Sequence, residues 1–253
     1  EETETLLVWE AAFEAAGARA PVHPAIIAFT TDSAVRLARK AEELGASAIL
    51  LAPLVPELYA GRSHRDVVGF YEAVASATGL SIILFNYPSL TGVDLSAALV
   101  EKLAAIETVR YIKESTGDSR RISALKRRLG ERIDVVCGAP TNALECFALG
   151  CRSWITGLLN VVPRSGRELL RAVHERSDLE LARRIYFQQI LPLVDVMEKT
   201  SNPTGTIKAG LAVRGLDVGA PRPPGQALLP AERSELEAVL GRVSELEEPI
   251  GNR

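Results

Sequence analysis

Two rhythms of hydrophobic positions alternate along the chain. Short runs rich in β-branched and aliphatic residues occupy 22–29, 46–53, 81–88, 109–115, 133–139 and 153–160. Several are apolar at every position rather than at alternate ones, the pattern of strands covered on both faces in a parallel sheet. Between them lie longer stretches with apolar residues three and four apart, which predict helices over 2–17, 33–44, 65–78, 96–106, 119–129 and 141–149. Helices over 166–176, 178–198, 204–214 and 231–244 follow. In the 33–44 helix Val35, Ala38, Ala41 and Leu44 fall toward one side, and Asp32 is the expected cap. Ser165 with Glu168, and Ser177 with Glu180, fit the S-x-x-E capping box. Pro203 and Pro230 stand where first-turn prolines are tolerated.

The regular exchange of strand and helix predicts an α/β fold with a parallel sheet. A chain of 253 residues is about the length of one (β/α)₈ TIM barrel. Six predicted strands fall short of the eight that close such a barrel. The alternation also opens on a helix, the sequence begins at Glu1, and its one methionine is Met197. The expectation is therefore that a first βαβ segment precedes residue 1. The Gly- and Pro-rich stretch 215–229 reads as a connection inside one domain, since helices flank it.

Composition narrows the function. Hydrophobic residues make up 47% and charged residues 24%, with a formal net charge of −3. No basic stripe points to nucleic acid, and no apolar run approaches the ~18 residues of a membrane span. No signal peptide is visible, so a cytoplasmic protein is expected. Cys137, Cys146 and Cys151 include no CxxC pair and are expected to be reduced thiols. His23, His64 and His174 are too scattered for a ligand set, and no metal site is expected.

The stretch Tyr111-Ile-Lys-Glu-Ser-Thr-Gly117 carries the most chemical information. It puts Lys113 near the carboxyl end of an apolar strand, where barrel enzymes build their sites. Apolar surroundings favour the neutral amine, and only the neutral amine attacks a carbonyl. Taken alone, a lysine at a strand end is more often a solvated charge. One βα unit earlier, Phe85-Asn-Tyr-Pro-Ser-Leu-Thr-Gly92 marks either a shaped loop or a simple strand-to-helix turn. In Trp154-Ile-Thr-Gly-Leu-Leu-Asn160, Gly157 marks close approach of a ligand or of packed neighbours.

Together these runs resemble the dihydrodipicolinate synthase / N-acetylneuraminate lyase family along nearly the whole chain. FNYPSLTG at 85–92 is similar to the family's YNxPxxTG, and IKESTG at 112–117 to its Schiff-base run. Gly138 in CGAP, GLLNVVP at 157–163 and NPTGTIK at 202–208 complete five motifs in order. The resemblance implies a TIM barrel, with strands 3–8 of that barrel in 1–163 and a helical region packed on it in 164–253. It implies Lys113 as the Schiff-base lysine and Phe85, Leu90, Gly138, Ile155 and Gly157 as substrate-binding positions. It also implies pyruvate or another 2-oxo acid as substrate, with an aldehyde as a second one. No cofactor is implied, because the lysine becomes the electron sink, and a homodimer or homotetramer is expected. The family's threonine-rich loop, which grips the 2-oxo acid carboxylate, would precede Glu1.

The departures matter as much. The family's tyrosine is Phe85 here, so a phenol that passes protons is missing; Tyr87, two residues on, could replace it only where the strand end bends. The synthase's carboxylate-gripping arginine is Leu90, and Val55 stands where the synthase has a second tyrosine. Leu54, Val55 and Leu90 would make the pocket mouth apolar. Three readings follow. One is a Schiff-base aldolase or dehydratase that is not a true dihydrodipicolinate synthase. Another is a sugar-acid aldolase or N-acetylneuraminate lyase-like enzyme. The last is a degenerate, non-catalytic member.

Overall fold

Residues 2–53 and 63–243 are described by the computed structural model, in which the chain divides at Val136/Cys137 into two compact units. The first unit opens with α1 (Glu2–Ala16) and then repeats strand and helix. Its elements are β1 (Ala25–Ala28), α2 (Thr31–Glu43), β2 (Ala48–Pro53), α3 (His64–Ala77) and β3 (Ser81–Asn86). A one-turn α4 (Pro88–Thr91), α5 (Ala97–Leu103), β4 (Val109–Glu114) and α6 (Ser119–Leu129) follow, and β5 (Asp134–Cys137) runs across the unit boundary. The strands lie in the order β1-β2-β3-β4-β5, and the β1/β2, β2/β3 and β3/β4 pairings are parallel.

The sheet sorts its side chains by parity. Ile49, Leu51, Ile82, Leu84 and Ile112 share one face and are completely buried. On this side the α3 residue Tyr71, itself buried, donates its hydroxyl to the Leu51 carbonyl at 3.0 Å. Each such aliphatic side chain removed from water contributes roughly 1.5–3 kcal/mol, so this face carries the unit's stability. On the other face Ala48, Leu50, Ala52, Ile83 and Phe85 form a smaller cluster, with Tyr111 packed against it. Between β3 and β4 the register slips by one residue: Ile82 pairs with Val109 but Ile83 with Tyr111. From there Leu84 meets Ile112, Phe85 meets Lys113 and Asn86 meets Glu114.

The second unit is helical. A 3₁₀ turn (Pro140–Asn142) leads to α7 (Ala143–Ala148), another (Gly157–Asn160) to α8 (Pro163–His174). Then come α9 (Leu179–Ile185), a π turn (Tyr186–Ile190), α10 (Leu191–Thr200), α11 (Pro203–Val213) and α12 (Pro230–Val243). Pro203 and Pro230 begin their helices as expected. Cys137, Cys146 and Cys151 are buried and form no disulfide.

Three expectations are corrected. The strand predicted at 153–160 is reduced to a single parallel bridge between Trp154 and Cys137. Thr156 ends it, since its hydroxyl accepts the Leu158 N–H at 3.3 Å and turns the chain into the 3₁₀ segment. Thr30, not Asp32, caps α2, accepting the Ser33 N–H at 3.2 Å. Neither S-x-x-E pattern is a capping box. Pro163 starts α8 early enough that Ser165 lies inside it, buried and bonded to Gln189 at 2.8 Å. Asp178 caps α9 through the Leu181 N–H at 2.8 Å, and Ser177 before it has φ of 53°. A capping box does occur, at Ser63 and Asp66.

Candidate functional site

β3 and β4 lie side by side because both are apolar runs with hydrophobic partners on two faces, and Phe85 and Lys113 stand near their carboxyl ends. Lys113 is the penultimate residue of β4 and is partly buried. Its strand partner is Phe85, whose ring face lies under the lysine Nζ at 4.3 Å from the centroid. Phe85 is 6% exposed and continues the cluster of Ala48, Leu50, Ala52 and Ile83, so the amine rests on an apolar floor. Such a contact attracts a cation to the negative face of the ring.

The chain leaves β3 through a bend. Tyr87 has φ −145° and ψ 75° and begins the one-turn α4, which Gly92 ends in the left-handed conformation at φ 72°. A side chain at position 92 would strain this turn. The bend keeps the Tyr87 ring near that of Phe85, with centroids 6.0 Å apart and planes tilted by 47°. Leu90 projects from α4 and is 48% exposed. Thr91, buried, donates its hydroxyl to the Tyr87 carbonyl at 3.1 Å.

A polar network that motif reading missed lies on the opposite parity of the same strand ends. Asn86 donates to Glu114 at 2.7 Å and accepts the Leu95 N–H at 2.9 Å. Glu114 accepts the Thr116 N–H at 2.9 Å and Arg121 Nε at 3.2 Å. Arg121 also clasps Asp94 through two contacts, of 2.5 and 3.3 Å, and donates to the Leu95 carbonyl at 3.1 Å. Burial opposes the charge on Arg121, but hydrogen bonding to Asp94 and the charge of Glu114 outweigh it and hold the guanidinium above its ordinary range. With Asn86 and Glu114 both buried, the network joins β3, β4, the 87–95 loop and the start of α6. It fixes the residues next to Phe85 and Lys113. The available sequence signal was a carboxylate inside an apolar strand, since a buried charge needs partners.

In the second unit Gly138 follows β5 directly, and the Ile155 N–H donates to the Cys137 carbonyl at 3.0 Å, which brings these two positions together. Gly157 opens the 3₁₀ turn rather than lying in a strand. A Cβ there would lie 2.7 Å from the Ile207 side-chain tip on α11, which would have to shift to admit it. Leu54 and Val55 lie outside the described residues. Among the described residues no group of three or more His, Cys, Asp or Glu is placed to hold a metal ion, and no helix is long and apolar enough to cross a membrane.

Comparison with known proteins gives one consistent family. The model of the dihydrodipicolinate synthetase family matches residues 1–243. The 4-hydroxy-tetrahydrodipicolinate synthase of Thermodesulfovibrio yellowstonii is 34% identical over 197 residues, covering 78% of this chain and 66% of that protein, just under two thirds of its length. That of Pelobacter propionicus is 31% identical over 237 residues, covering 94% of this chain and 80% of that protein. The crystal structure of dihydrodipicolinate synthase from Aquifex aeolicus superposes with a TM-score of 0.88 at 31% identity, covering 99% of this chain and 83% of that one.

Proposed function

The chain belongs to the dihydrodipicolinate synthetase family, whose α/β TIM-barrel fold class it shares, and from that premise we propose that it is a Schiff-base-forming lyase acting on pyruvate or another 2-oxo acid. The observation that carries this reading is Lys113, at the carboxyl end of β4 with its Nζ on an apolar floor. In this reaction the neutral amine of Lys113 adds to the C2 carbonyl of the 2-oxo acid. The resulting carbinolamine takes up a proton on its oxygen and loses water, leaving an iminium on Lys113. Loss of a C3 proton then gives an enamine that adds to an aldehyde, and the reverse sequence cleaves the adduct.

The specific activity differs from that of the synthases named among its relatives. Phe85 offers no hydroxyl for proton transfer, so water or the half-exposed Tyr87 beside it serves instead. Leu90 has neither charge nor donors to hold a second carboxylate, which favours a less polar aldehyde. By resemblance, Gly138, Ile155 and Gly157 are the substrate-contacting positions of the second unit. The enzyme works in the cytoplasm as a homodimer or homotetramer.

The test is incubation with pyruvate and borohydride, followed by intact mass. A gain of one reduced pyruvate that disappears in Lys113→Ala is expected. No gain at any pyruvate concentration would refute the assignment.

A further inference from the structure

We infer that the Phe85 ring is a cation-holding group that biases the Lys113 site toward the iminium and away from the enamine. The inference rests on the Schiff-base reading above and deepens it. Its basis is the contact between Lys113 Nζ and the ring face, 4.3 Å from the centroid. The geometry is held from several sides. Phe85 and Lys113 are register partners in adjacent strands, and Phe85 is 6% exposed. The next residue in each strand, Asn86 and Glu114, is locked to the other by the 2.7 Å hydrogen bond. This bond fixes the strand register that sets the Lys113 and Phe85 side chains side by side.

Charge conservation gives the consequence. When the ammonium form of Lys113 condenses with a 2-oxo acid, the products are the iminium and one water. The positive charge stays on the same nitrogen, over the same ring, so this step leaves the attraction nearly intact. The next step differs. The iminium gives a C3 proton to water, the C–H electron pair becomes the C2–C3 double bond, and the nitrogen becomes neutral. The enamine has lost the charge that the ring attracts. A partly desolvated cation–π contact of about 0.5–2 kcal/mol therefore opposes enamine formation by roughly 2- to 30-fold. A hydroxyl on the ring would offset this by moving the proton, and Phe85 has none. The site is thus built to hold a 2-oxo acid as an electrophilic carbon, and it releases the nucleophilic enamine sparingly.

The experiment compares two readouts on the same chain. Borohydride trapping with pyruvate measures the iminium. Proton NMR in D₂O measures exchange at C3 of pyruvate, which requires the enamine. The proteins are wild type, Phe85→Leu, and a chain with 3,4,5-trifluorophenylalanine incorporated at position 85, which keeps the ring's shape but weakens its negative face. Exchange per trapped iminium is expected to rise about 2- to 30-fold in Phe85→Leu and by a smaller factor in the fluorinated chain. Equal ratios in wild type and the fluorinated chain, with trapping intact, would overturn the role of the ring while leaving the Schiff-base assignment standing. Absence of trapping in all three proteins would instead remove the Schiff-base assignment, and this inference with it. The fluorinated chain decides the matter should Phe85→Leu fail to fold.

Discussion

The two faces of the β3–β4 strand ends differ in how their polar atoms are used. On one face Asn86, Glu114, Arg121 and Asp94 are hydrogen-bonded to one another and to the backbone of Leu95 and Thr116. On the other, an amine rests on the face of a phenyl ring. Such a network holds the shape of the strand ends and the loop that follows them. In the proposed reaction the Lys113 amine above the ring is the group that forms a covalent bond. The proposed chemistry and its support thus occupy consecutive residues, separated only by the alternation of side chains along a strand.

Mutations that attack each face should separate these roles. The largest expected effect is that of Lys113→Ala, which abolishes the borohydride-trapped adduct while shifting the denaturation midpoint little. On the network face, Glu114→Ala removes a buried carboxylate and strands Arg121 and Asn86; it should cost about 3–5 kcal/mol of stability, measured by urea denaturation. Glu114→Gln, which keeps the shape and an acceptor but loses the charge, should cost clearly less, and losses equal to those of Glu114→Ala would show that the charge itself is what the network needs. Next, Phe85→Leu should lower stability by about 1 kcal/mol from lost apolar burial while leaving Lys113 able to form an imine. Asp94→Ala, at the half-exposed end of the network, should cost about 0.5 kcal/mol.

The smallest effect is a surface control in the second unit. Burial pushes the Glu168 carboxyl up, but hydrogen bonds from Arg176 at 2.8 Å and Arg171 at 3.3 Å pull it further down, so it is held below the usual carboxylate range. A lowered folded-state value adds stability above the ordinary carboxylate pKa of about 4.3. That stability is lost as pH falls through the lowered value. Arg176→Ala should therefore differ slightly from wild type at neutral pH and converge with it in acid, as thermal melts across pH would record. A gap that widens in acid would contradict the sign.

What the sequence disclosed follows from the same physics. Strand and helix existence was legible for β1–β5 and for the long helices, because periodicity reports burial that each element must satisfy. The place of Lys113 at the end of β4 was legible from the apolar run, but its expected role came from the family resemblance, since a lysine at a strand end alone reads as a solvated charge. The Glu114 network was not, since Asn86 and Glu114 are 28 residues apart and meet only through strand pairing. The caps failed for a related reason. Thr30 and Asp32 are both competent caps, but the helix already begins at Thr31, which leaves Asp32 inside its first turn. The S-x-x-E patterns at Ser165 and Ser177 were displaced by neighbours, Pro163 and Asp178, that set the helix start themselves. The bend at Tyr87, by contrast, supplies the condition under which its phenol could approach the place Phe85 leaves without a hydroxyl.

The register slip between Ile82 and Ile83 makes residue counting part of the chemistry. Were the pairing to run on from Ile82 and Val109 without the slip, Ile83 would meet Arg110, Phe85 would meet Ile112 and Asn86 would meet Lys113. The amine would then belong to the helix-covered side and the carboxylate to the apolar floor, with no amino acid in either motif changed. Arg110, the residue that the slip leaves without a β3 partner, is in effect a frame correction in three dimensions: it keeps each letter of the two motifs in the compartment where it is read.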